Sequence, residues 1–134
     1  MMRRVSLTTG LLILFSVLFV NAQTKNEGKY VFLISKVNYL KAIEDAVRQS
    51  KAEGVKLSEA RVILCGQSVK ALAEENSIVK MALANPKIKL VACGLSLEQM
   101  AVDPKVLPSQ VVTVRNGILE SLKLEKDGYI KFDL

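Results

Sequence analysis

The 134-residue chain contains no histidine. That absence removes the Ser-His-Asp triad, the Cys-His dyad and every imidazole metal site. Cysteine is scarce as well. Cys65 and Cys93 are the only two, 28 positions apart, and they lack the C-x-x-C spacing of a structural zinc site. Three Tyr and four Phe are the only aromatic residues. No run of five or six like charges occurs, so the chain has neither the basic stripe nor the stacking rings of a nucleic-acid face. No nucleic-acid partner is expected. G-x-G-x-x-G and Walker loops are missing, which leaves dinucleotide and nucleoside triphosphate binding without support. Nothing in the residues calls for a metal or a cofactor. No apolar run reaches the roughly 20 residues of a membrane span.

What is present begins with a leader. Arg3 and Arg4 precede the apolar run GLLILFSVLFV at 10–20, and Val20-Asn21-Ala22 follows. Charge, apolar core and small-residue cleavage site stand in the order of a secretory signal peptide. The sequence therefore predicts removal of residues 1–22, a mature chain starting at Gln23, and a periplasmic or secreted location without stable membrane insertion. An uncleaved anchor is the competing reading, and the shortness of the run argues against it. Without Arg3 and Arg4 the balance is 17 basic to 13 acidic residues, spread along the chain. The remainder is long enough for one core without staples. Two cysteines in an exported chain would ordinarily suggest a disulfide.

Residues 23–28 read as a flexible lead-in and 29–134 as a single domain. KYVFLI at 29–34 is the first strand. Leu40, Ile43, Ala46 and Val47 recur at helical spacing, with Asn38 as the expected N-cap and Gly54 as a stop. RVILC at 61–65 is the second strand. The stretch 68–84 is helical in composition, and Glu74-Glu75-Asn76-Ser77 divides it. IKLVAC at 88–93 is the third strand, followed by a short helix for which Ser96 and Gln99 have capping-box spacing. QVVTV at 110–114 is the fourth strand. Asn116 caps a last helix that ends at Gly128, and a short fifth strand closes the chain. Alternation of this kind predicts an α/β fold: a three-layer α/β/α sandwich around a mostly parallel five-stranded sheet.

Open parallel sheets bind ligands beyond the carboxyl ends of their strands. From the sequence that rim comprises Lys36, Cys65, Gly66, Cys93, Gly94, Arg115 and Asn116. Both thiols fall on it, each followed by a glycine that lets the chain turn. A cysteine ahead of a helix N-terminus has its thiolate favoured. Cys93 is thus the expected reactive residue, with Lys36 or Arg115 as possible helpers, and Cys65 is the expected more buried one. Side chains on neighbouring parallel strands stand side by side, which disfavours a Cys65–Cys93 bridge.

The segments KIKLVACGLSLEQMAVDP, QVVTV and NGILESLKLEKDGYIKF resemble the DsrE/DsrF-like family, which includes the TusD sulfur-relay proteins. The resemblance implies a three-layer α/β fold and homo-oligomers, trimers or hexamers. It also implies a cysteine, Cys93 here, that accepts sulfane sulfur as a persulfide and passes it to a thiol-bearing protein partner. Two function classes follow: a sulfur carrier acting through Cys93, or a non-catalytic binding or assembly module whose cysteines are structural.

Overall fold

A computed structural model describes residues 27–134; the expected leader lies outside the described residues. Five strands form one wholly parallel sheet: β1 (Lys29–Ile34), β2 (Glu59–Leu64), β3 (Ile88–Cys93), β4 (Val112–Val114) and β5 (Ile130–Asp133). Their order across the sheet is β4-β3-β2-β1-β5. The helices are α1 (Asn38–Gln49), α2 (Ser77–Ala84), α3 (Gly94–Gln99) and α4 (Gly117–Lys126), with 3-10 helices at Gly66–Ala73 and Pro104–Val106. Among the described residues no helix is long and apolar enough to cross a membrane.

Topology decides how the two sheet faces are covered. The first three crossovers step in the same direction, β1 to β2 to β3 to β4. Parallel crossovers are almost always right-handed, so their helices fall on one face. The fourth crossover returns from β4 past three strands to β5 and places α4 alone on the other face. The side-chain register fits this division. Ile34, Val62, Leu64, Leu90 and Ala92 point to the helix-rich face, where they form one buried cluster with Leu40, Ile43, Val47, Val69 and Leu97. Val31, Ile63 and Val91 point to the other face, against Leu124 of α4 and Tyr129. Burial of an aliphatic side chain is worth about 2 kcal/mol, so the helix-rich face supplies most of the hydrophobic stabilisation.

Several local expectations need adjustment. On β2 and β3 the α4 face is not wholly apolar: Arg61 and Lys89 occupy one cross-strand pair there. Asn38 is the first residue of α1 rather than its cap, because the preceding Val37 already has helical dihedrals and makes no side-chain capping bond. Ser96 lies inside α3, whose N-cap position is Cys93. Asn76, by contrast, caps α2 by accepting the amides of Ile78 and Val79, which explains the break in the 68–84 stretch.

Candidate functional site

The chain leaves β2 and β3 through Cys-Gly steps that lie side by side, since Leu64 pairs with Ala92 one residue earlier. Each glycine has its own reason. Gly66 has φ +57, a left-handed conformation that a side chain would strain. Gly94 has an ordinary φ, but a Cβ there would lie 2.9 Å from the Val114 carbonyl oxygen. The Leu95 amide donates to the Arg115 carbonyl at 3.1 Å and ties the start of α3 to the end of β4.

The sulfur environment is completed by α4. Asn116 caps this helix, its side-chain oxygen accepting from the amides of Ile118 at 3.0 Å and Leu119 at 3.2 Å. The Gly117 amide is thereby left to point elsewhere, and it donates to the Cys93 sulfur at 3.3 Å. Gly117 can approach so closely only because it lacks a side chain. A Cβ there would stand 2.8 Å from the Cys65 sulfur and 2.8 Å from Cγ2 of Ile63. The first amide of a ten-residue helix is an electropositive group, and here it rests directly on a thiol.

Ser96 supplies a second donor. Its hydroxyl oxygen accepts the Gly66 amide at 2.8 Å. With that lone pair occupied, the hydroxyl hydrogen is free to turn to Cys93. Burial pushes the Cys93 thiol up, but the Ser96 hydroxyl, the Gly117 and Ser96 amides and the Cys65 thiol outweigh it, and the net direction is down from the ordinary 9.0. Cys65 behaves oppositely. Burial, then the charge of Cys93 and its hydrogen bond to Cys93, push it up to about 12. The pair thus divides into an acceptor sulfur and a donor thiol. Both cysteines are free.

The structure sorts the rim residues expected from sequence. Cys65, Gly66, Cys93, Gly94 and Asn116 converge around the sulfurs. Lys36 does not: it lines a separate cleft of about 360 Å³ between the start of α1 and the 3-10 helix after β2, with Asn38 and Gln67. The Arg115 side chain is exposed, and only its main chain is tied to α3. Neither cation is among the groups that shift Cys93. The exposure of the two thiols is also the reverse of expectation. Cys93 is 4% exposed, beneath the α4 terminus, whereas Cys65 is half-buried.

Two contributing residues were not foreseen from sequence. Gly117 follows directly on a capping Asn, and a poor helix former in the first turn is a legible sign of close approach. Ser96 was hidden by its resemblance to a capping residue. Among the described residues, no group of three or more metal-ligating side chains is placed to hold an ion.

No protein-family model and no curated protein matches the chain. Solved structures do. The protein of unknown function MTH1491 from Methanobacterium thermoautotrophicum superposes with a TM-score of 0.66 at 17% identity, over 78% of this chain and 97% of that one. The conserved protein of unknown function BT1422 from Bacteroides thetaiotaomicron gives 0.63 at 19% identity, over 83% and 98%. The α/β fold is therefore shared with proteins from an archaeon and a bacterium.

Proposed function

We propose that this protein is a carrier of sulfane sulfur, held as a persulfide on Cys93. The observation that carries the reading is the Gly117 amide on the Cys93 sulfur at 3.3 Å, with the Cys65 thiol as a further hydrogen-bond partner. The resemblance of 87–134 to the DsrE/DsrF-like family supports it. In the loading step the Cys93 thiolate attacks the outer sulfur of a donor persulfide. A bond forms between Sγ and that sulfur, the donor S–S bond breaks, and the donor departs as a thiolate with the electron pair. Delivery to an acceptor thiolate is the same exchange in reverse, so no external oxidant or reductant is needed. Cys65 serves as a hydrogen-bond donor to the anionic sulfur.

Two further elements belong to the proposal. The first is export: cleavage after Ala22 would place the carrier outside the cytoplasm, and N-terminal sequencing of the mature protein checks this. The second is a homo-oligomer, trimer or hexamer, supported by the outward side of α4, where Ile118, Leu119 and Leu122 are 58%, 50% and 49% exposed.

Intact mass after incubation with a sulfane donor tests the carrier reading. Gain of one sulfur that reductant removes is expected for wild type and for Cys65→Ser, and not for Cys93→Ser. Unchanged mass in all three would return both cysteines to a structural role in a binding or assembly module.

A further inference from the structure

The uncovered part of the α4 face contains a groove of about 210 Å³ between α4 and the β3–β4 edge. Its composition is ordered along the strands. Arg61 and Lys89, directly paired across β2 and β3, stand at one end with the Gln110 side chain nearby. Glu120 of α4 lines the opposite wall. Glu59 joins the charged end, and Leu90, Val91, Val112 and Val114 line the rest. Side chains two apart on a strand share a face, so Lys89, Val91 and Cys93 follow one another along β3. Val114 is the cross-strand partner of Cys93. The groove therefore runs from a charged end, across valines, to Val114, the strand neighbour of the buried Cys93.

The charges in the groove have both signs. Two cations directly opposite each other on neighbouring strands repel. Glu59, itself in the lining, lies 3.4 Å from Arg61 and accepts the Tyr129 hydroxyl, so the Lys89 charge is the less neutralised of the two. Lys89 is exposed and faces the opening. A carboxylate seated between Lys89 and Arg61 would relieve the repulsion, and an ammonium group beside it would meet Glu120. An α-amino-acid head group presents that pair of charges on adjacent atoms. The valine floor suits a thioether, disulfide or persulfide rather than a polar chain. Lys89 and Cys93 are four residues apart, about 13 Å along the strand, and the Lys89 stem shortens the gap that a ligand must span. The cavity is smaller than the roughly 300–1,000 Å³ of most drug-sized sites, which fits a small amino acid.

We propose that this groove binds a zwitterionic amino-acid sulfur compound, a cysteine persulfide or a close relative. Its carboxylate lies on Lys89 and Arg61, its ammonium on Glu120, and its sulfur points toward Cys93. The assignment of this ligand as the sulfur donor rests on the carrier reading above; the binding site itself does not. In the transfer, the outer sulfur moves to Cys93 and free cysteine leaves as the thiolate.

The test uses the reduced full chain with two donors, cysteine persulfide and inorganic polysulfide, and one unreactive probe, S-methylcysteine. S-methylcysteine should shift the amide resonances of Lys89, Val91, Val112, Val114 and Glu120 and leave those around Lys36 in place. Lys89→Glu and Glu120→Lys, both at the surface, should each weaken that binding about tenfold. They should slow loading from cysteine persulfide by a similar factor while loading from polysulfide changes little. Absence of probe shifts, or equal loss with both donors, overturns the groove assignment while loading by polysulfide still upholds the carrier. Probe shifts that vanish in the charge variants, with no sulfur gained from either donor, uphold the groove and defeat the carrier.

Discussion

The two faces of the sheet are built to different standards. The helix-rich face buries aliphatic side chains from β1, β2 and β3 under α1, α2, α3 and a 3-10 helix. The opposite face has one helix, a small cluster of five buried residues, two paired cations and an apolar helix side turned outward. The fold is held by the first face. The second holds the thiols, the groove and the outward apolar side of α4. Chemistry tends to occupy the part of a molecule that folding requires least, and here that division follows from the direction of a single crossover.

Truncation in the core should expose the difference most strongly. Leu90→Ala on the helix-rich face is expected to cost about 3 kcal/mol of unfolding free energy. Leu33→Ala, half-buried on the α4 face, should cost about 1 kcal/mol. Urea unfolding of both variants measures this, and equal losses would erase the contrast.

Gly117→Ala comes next, at about 2 kcal/mol, because the new methyl group meets the Cys65 sulfur and Ile63 at 2.8 Å. It should also move the alkylation profile of Cys93 to higher pH as the Gly117 amide is displaced. In wild type, reaction at Cys93 is expected to begin below the ordinary thiol value of 9.0, and reaction at Cys65 only toward about 12. Cys65→Ser keeps a donor and should leave the Cys93 profile nearly in place, whereas Cys65→Ala should raise it. The linkage to stability has opposite signs for the two thiols. The depressed Cys93 contributes stability that is present above the unfolded-state value near 9.0 and is lost as pH falls through its folded value. The raised Cys65 contributes stability that is complete below 9.0 and is lost as pH climbs toward about 12. Chemical denaturation of Cys65→Ala and wild type between pH 8 and pH 11 reads the second effect: wild type should lose stability with rising pH more steeply.

Cap removal should act on the two faces alike. Asn76→Ala and Asn116→Ala are each expected to cost about 1 kcal/mol, but only Asn116→Ala should alter Cys93 reactivity. Ile118→Asn combined with Leu122→Asn should change monomer stability by no more than about 0.5 kcal/mol, since both side chains face outward. The same double variant should collapse an oligomer to one chain in light scattering. A wild type already monomeric at micromolar concentration would remove α4 as an assembly surface.

The strand-helix alternation was legible in the residues because apolar runs and turn residues act locally. β1 and β3 lie where KYVFLI and IKLVAC place them, and Asn116 caps as its position suggests. What was not legible depends on side chains meeting across the sheet. Ser96 had the spacing of a cap, yet its hydroxyl is taken by Gly66, a residue 30 positions away. Lys36 and Cys93 share the strand-end rim, but the rim extends over several strands and the lysine opens onto a different cleft. The burial order of the two thiols was set by α4, whose side of the sheet no local pattern reveals.

The pairing of β1 with β5 joins Tyr30 to Ile130, nearly the full span of the domain. Closing so long a loop carries an entropic cost that local helices do not share, and parallel pairing of distant segments is slow. During synthesis, the outer edge of β1 has no partner until β5 has left the ribosome. Its amide and carbonyl groups then form an open template for strands of other chains. The last strand, only four residues long, therefore acts as a latch: its arrival ends the period in which the growing chain is prone to aggregate.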